Sequence, residues 1–144
     1  MGNLNRVIRS LVILFLLLFI GCEENDSSLS EVENGNFVLY LSNQSFDIDP
    51  VDIRAYIDNK LAVNKEFFCV NQHNWVKFQF NIKNGNHKLY CVADKGNVNI
   101  DTTFNLSESP YCVVEFWYYK KTSTYAGMKK ELTIKLFRYK PGFG

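Results

Sequence analysis

Of 144 residues, only two are histidine, three are proline and four are cysteine. Two histidines leave little material for a nucleophile–His–acid set. The four cysteines contain no C-x-x-C pair, so neither a zinc ribbon nor a thioredoxin-type site is supported. Three prolines and eight glycines exclude a collagen-like or low-complexity chain. A formal net charge of +1 supplies no global field that would draw in nucleic acid. Leu11 to Ile20 is an unbroken apolar run of ten residues. It is too short for a bilayer core of ~30 Å, which takes ~20 helical residues. With 47% of residues hydrophobic and 22% charged, the chain is not a disordered tail. Its length suits one ordinary domain.

The N-terminus reads as a targeting segment. Arg6 and Arg9 precede the apolar run, and Gly21 and Cys22 follow it. Those are the flanks and length of a signal-peptide h-region. Phe19-Ile20-Gly21-Cys22 resembles a bacterial lipobox, although Phe19 stands where Leu is usual. The resemblance implies cleavage after residue 21, lipidation of Cys22 and acylation of its new amine. Three acyl chains hold a protein firmly where one binds only marginally. Glu23, Glu24, Asn25 and Asp26 come next. They resemble the acidic export tag of Bacteroidetes-type surface lipoproteins. The implied location is the cell envelope, at the outer membrane and exposed on the surface.

Charge divides unevenly along the chain. Residues 22–52 hold eight acids and no Lys or Arg, whereas residues 53–144 hold fourteen basic and seven acidic residues, a net +7. The basic residues concentrate late, at Lys120, Lys121, Lys129, Lys130, Lys135, Arg138 and Lys140. Such a patch suits anionic polysaccharide or lipid headgroups, or it is a solvated face that guards an edge strand. Cys69, Cys91 and Cys112 remain after lipidation, each in an apolar run. An exported protein meets an oxidising compartment, which allows one disulfide. Buried free thiols are the other reading. If a bridge forms, Cys91–Cys112 is the expected pair, because both fall on the apolar face of their runs.

Residues 22–36 are polar and aperiodic, and read as a lipidated Cys followed by a flexible acidic tether. From Phe37 to Gly144 the apolar period is two. Phe37, Leu39 and Leu41 alternate, as do Ile53, Ala55 and Ile57. Asp58-Asn59-Lys60 turns into Leu61–Cys69. Val76, Phe78, Phe80 and Ile82 form the cleanest strand. Turn signals at Lys83–Asn86 and Asp94–Asn97 bound His87–Ala93, and Val98–Leu106 follows. Cys112–Tyr119 and Leu132–Tyr139 end the series, with a loop at Thr122–Gly127. About eight strands at this spacing predict an all-β antiparallel sandwich, immunoglobulin-like in architecture. The Cys…Trp…Cys spacing of antibody domains is missing, since Trp75 lies too close to both Cys69 and Cys91. Val51–Lys60 and Gly85–Leu89 resemble the hairpin and strand entry of small bacterial β-sandwich surface modules, which share a fold and no single activity.

Few residues point to chemistry. His73 sits in a polar turn and His87 opens a strand, and no serine lies in a Gly-x-Ser-x-Gly elbow. Asp47, Asp49 and Asp52 resemble the start of a Ca²⁺ loop but lack its Gly and terminal Glu. Glu108 and Glu115 are isolated acids, with Glu115 outward on its strand. No catalytic role, cofactor or metal is implied. Tyr56, Trp75, Trp117 and Tyr119 all fall opposite the apolar stripe of their runs. Flat rings on a sheet face stack on sugars or pack against a partner, and cross-strand packing is the plainer alternative. Two functions follow as expectations: a membrane-anchored binding module for a glycan or other extracellular ligand, or an assembly subunit of an envelope complex. The exported location argues against nucleic acid as a partner.

Overall fold

The computed structural model describes residues 28–122 and 126–143. Residues 1–21, Cys22 and the first part of the tether lie outside the described residues. The protein is a β-sandwich of eight strands in two four-stranded sheets. The strands are β1 (Phe37–Asn43), β2 (Val51–Ile57), β3 (Lys60–Phe67), β4 (Val76–Phe80), β5 (Asn86–Ala93), β6 (Val98–Asn105), β7 (Tyr111–Tyr119) and β8 (Met128–Phe137). One sheet runs β4-β1-β7-β8 and the other β3-β2-β5-β6. All pairs are antiparallel except β1 with β7, which run parallel. Parallel neighbours need a long connection, and here the chain between them builds the whole second sheet. In an immunoglobulin constant domain the first, second, fifth and fourth strands share one sheet. Here β2 lies across the sandwich from β1, so the likeness is one of architecture.

Local chemistry sets the register. Asp58 and Asn59 take φ of 50° and 63°, and Ile57 pairs with Lys60. That is a two-residue turn of the twist-matched kind, and Asp and Asn tolerate the left-handed region better than most residues. β2 then alternates as read, with Val51, Ile53, Ala55 and Ile57 buried and the residues between them half-exposed. Inward residues of both sheets form one core, with Phe37, Phe80, Phe116, Leu39, Leu41, Ile53 and Leu89 among its largest members. β6 and β8 approach each other along one side of the sandwich.

Two features depart from the sequence reading. Strand β1 is buried on both faces, not one. Its outward Val38 and Tyr40 join Val113 in a second small cluster, covered by Trp75, Tyr111 and Phe137. Residues 28–36, expected within the free tether, dock on the sandwich. The amide of Leu29 donates to the Leu61 carbonyl at 2.7 Å, that of Val32 to the Gln79 carbonyl at 2.9 Å, and Leu29 packs against the core. Gly35 permits this approach, since a Cβ there would stand 2.5 Å from the Phe80 backbone. Of the two readings of the cysteines, the structure has the buried free thiols and not the Cys91–Cys112 bridge. Cys91 on β5 and Cys112 on β7 face the core from opposite sheets as free thiols, and Cys69 is also free and buried. Burial pushes the Cys91 thiol up to about 12. Burial, with Cys91 nearby, raises Cys112 well above its usual value.

The two ends of the sandwich differ. The turn end gathers the Asp58–Asn59 turn, residues 81–85 and residues 106–110. The loop end gathers residues 44–50, 68–75 and 94–97 and the described part of the β7–β8 link. Gln72 donates to the Gln44 carbonyl at 2.7 Å, Lys120 N to Asp47 Oδ2 at 2.8 Å and Lys95 N to Asp52 Oδ1 at 2.8 Å.

Candidate functional site

On the outer face of the β4-β1-β7-β8 sheet, strand parity places Val113, Glu115 and Trp117 of β7 beside Lys135, Thr133 and Glu131 of β8. After Phe137 the chain folds back across this face. Phe143 stacks on Trp75 with ring centroids 4.3 Å apart and 18° between planes, and meets Tyr40 edge-on at 4.9 Å. The returning segment and the sheet enclose a groove of about 470 Å³. Its floor is Val113, Glu115, Lys135 and Phe137, and its walls are Trp75, Phe143 and the Arg138–Gly142 segment. That size falls in the range of small-molecule sites.

Glu115 is the polar centre of the groove. It is only 5% exposed. Trp75 Nε1 donates to its Oε1 at 3.1 Å, and Lys135 Nζ donates to its Oε2 at 3.1 Å. A carboxylate taken from water needs such partners on both oxygens. The Lys135 side chain is largely in solvent, so the pair is open on the groove side. Tyr139 stands 78% exposed at the rim. Arg138 and Lys140 flank it in sequence, and neither makes an ion pair with a described residue. Beneath the groove, burial raises the Tyr40 phenol above its ordinary value, with Tyr111 adding to the effect.

The structure separates the four aromatics expected to share a face. Only Trp75 lines the groove. Trp117 and Tyr119 lie further along β7, 6.4 Å apart, where the register shifts. The Tyr119 hydroxyl donates to the Gln44 carbonyl at 3.2 Å and contacts Gln72, so it secures the loop end. Tyr56 sits on β2 in the other sheet, 5.9 Å from Tyr90, beside the Arg54–Asp94 ion pair at 2.5 Å. Of the residues that complete the groove, Glu115 enters the sequence reading only as an isolated acid and Lys135 only within the late basic cluster, while Tyr139 and Phe143 carry no sequence signal of a site. One signal pointed to them: Phe37-Val38-Leu39-Tyr40-Leu41 is continuously apolar, and a strand of that kind is covered on both faces.

The remaining candidates have structural partners. Asp47, Asp49 and Asp52 accept separate backbone amides, from Lys120, Cys69 and Lys95, and so fasten three different loops. His87 is buried, with Nδ1 2.6 Å from Asp58 Oδ2 and Nε2 2.7 Å from the Lys83 carbonyl. His73 lies beside Trp75, ring centroids 6.2 Å apart. No group of three His, Cys, Asp or Glu among the described residues is placed to hold a metal ion. The groove offers flat rings, one buried carboxylate and a cationic rim, an arrangement for holding a ligand. Comparison of the chain with protein-family models, with curated proteins and with solved structures returned no match.

Proposed function

We propose that this protein is an envelope lipoprotein, held in the outer membrane through acylated Cys22, whose sandwich domain is a non-catalytic binding module. The ligand, a glycan or another extracellular molecule, sits in the groove between the outer sheet face and the C-terminal segment. The observation that carries this reading is Glu115. A buried carboxylate, fastened by Trp75 and Lys135 beside an exposed tyrosine, presents a fixed acceptor next to flat apolar surface. Sugar rings combine those two needs, an apolar face and hydroxyl groups on its edge. The anchor rests on the lipobox and the acidic residues after it.

Affinity electrophoresis tests the module. The chain from residue 22, with Cys22→Ser to prevent acylation, is run through gels containing single soluble polysaccharides. One gel should retard it. Trp75→Ala should abolish the retardation, while Trp117→Ala and Tyr56→Ala should leave it intact. Labelling of the full chain with a palmitate analogue should be lost in Cys22→Ser. A second reading, an assembly subunit of an envelope complex, draws on the loop end. Phe46, Phe68 and Val70 are exposed there, as apolar contacts for a protein partner would be. No retardation on any polysaccharide would overturn the glycan as ligand and favour this reading.

A further inference from the structure

We infer that the groove takes an anionic saccharide, one bearing carboxylate or sulfate groups, in preference to a neutral one; the inference rests on the binding-module reading. The groove contains one acid and three bases. Its acid, Glu115, is already balanced by Lys135 at 3.1 Å, with Trp75 Nε1 on the other oxygen. Arg138 and Lys140 line the same groove and have no acidic partner among the described residues. Elsewhere on the sandwich Arg54 pairs with Asp94, Lys88 with Asp101 and Lys95 with Glu66, while Lys77 and Lys129 also make no ion pair with a described residue; what sets Arg138 and Lys140 apart is their place on a cavity. Arg138 and Lys140 therefore stand beside Tyr139 at the rim of a cavity, where their charge is available to a ligand.

The chemistry of each group fits the same ligand class. A guanidinium presents a planar fork that matches a carboxylate or sulfate, and an ammonium adds a compact point charge. Tyr139, 78% exposed between them in sequence, offers a ring for a pyranose face. The filled pair at Glu115 leaves lone pairs for a sugar hydroxyl and does not repel an anion as a bare carboxylate would. A volume of about 470 Å³ suits one or two sugar rings and not a long chain segment, so a polymer would be held at a single residue or at its end.

Matched polymers separate charge from backbone. Polygalacturonate is compared with its methyl-esterified form, and dextran sulfate with dextran, using the Cys22→Ser chain from residue 22. The expected result is retention by the charged member of a pair, weakened as salt is raised. Arg138→Gln/Lys140→Gln should weaken it about tenfold or more, as expected for losing charge-assisted hydrogen bonds. Both side chains lie on a surface segment, so the fold survives, which an unchanged circular dichroism spectrum checks. Equal binding of neutral and charged members, indifferent to that double variant, would overturn the ligand class and leave the binding module standing. Anionic binding lost instead in Lys120→Gln/Lys121→Gln would move the charge effect to the loop end and overturn the site. Equal Arg138- and Lys140-dependent binding to phosphatidylglycerol vesicles would overturn the saccharide. Failure on every polymer, charged or neutral, would overturn the saccharide together with the glycan-binding reading on which it rests.

Discussion

Glu115 shows how one side chain links a sheet to a site. Strand parity points it outward, and the expectation for such a residue is plain surface charge. Trp75 and the returning C-terminal segment bury it instead, so its carboxylate holds both Trp75 and Lys135. Glu115→Ala should cost about 1–3 kcal/mol, because the Trp75 N–H loses its acceptor in a half-buried place. Glu115→Gln, which keeps an acceptor oxygen, should cost less. Urea midpoints compare the two, and tryptophan emission should shift to the red only in the alanine variant. Asp58 carries a pH effect at the turn end. Burial pushes its carboxyl up, but the Lys88 amide, the His87 ring and the charges of His87 and Lys60 outweigh that and hold it below 3.8. A carboxyl depressed in the fold adds stability that is complete above the unfolded value and lost as pH falls through the folded one. Urea midpoints should therefore drop as pH falls below about 4. Asp58→Asn, which tolerates the same positive φ, should reduce that slope. An undiminished slope would remove Asp58 as its source.

At the scale of elements, the strands were the most legible part of the chain. The alternation at Val51–Ile57 and the Asp58-Asn59 turn are local codes, written in neighbouring residues and read without the partner strand. Two segments resisted that reading. Residues 28–36 are polar and aperiodic, yet they dock through the backbone amides of Leu29 and Val32, which leave no trace in side-chain pattern. The segment after β8 has no periodicity either, and Phe143 acts alone. Its ring covers one face of Trp75 and meets Tyr40, so it acts as a strap over the groove. Phe143→Ala should loosen this strap at a cost of about 0.5–1.5 kcal/mol, the range of an aromatic pair beyond its burial. The tail should then be cut faster by trypsin after Arg138, the Lys140-Pro141 bond being resistant, while the circular dichroism of the sandwich stays unchanged. Unaltered cleavage would show that the tail is held by other contacts.

For the whole molecule, the two sheets decide which residues meet. Cys91 and Cys112 face each other's half of the core, and burial keeps both protonated at neutral pH. The thiolate is the reactive form, so the folded Cys22→Ser chain should consume almost no Ellman's reagent at pH 8, with Cys69 also buried. Full reaction of all three should come only on unfolding in guanidinium. An absence of thiols after unfolding would show that the cysteines had been oxidised. The amino-acid order by itself determined the class of fold, the strand spans to within a few residues and the sign of each side chain within its own strand. Those properties depend on near neighbours in the chain, on period and on turn chemistry. Which sheet each strand joins, and therefore which outward faces lie together, depends on contacts far apart in sequence. Period two tells inside from outside but not one outside from the other. Tyr56 and Trp75 share a parity and lie on opposite faces of the sandwich, whereas Trp75, Glu115 and Phe143 share no local pattern and meet in one groove. Only the packing of one sheet against the other, and the return of the chain end across it, could bring those three together.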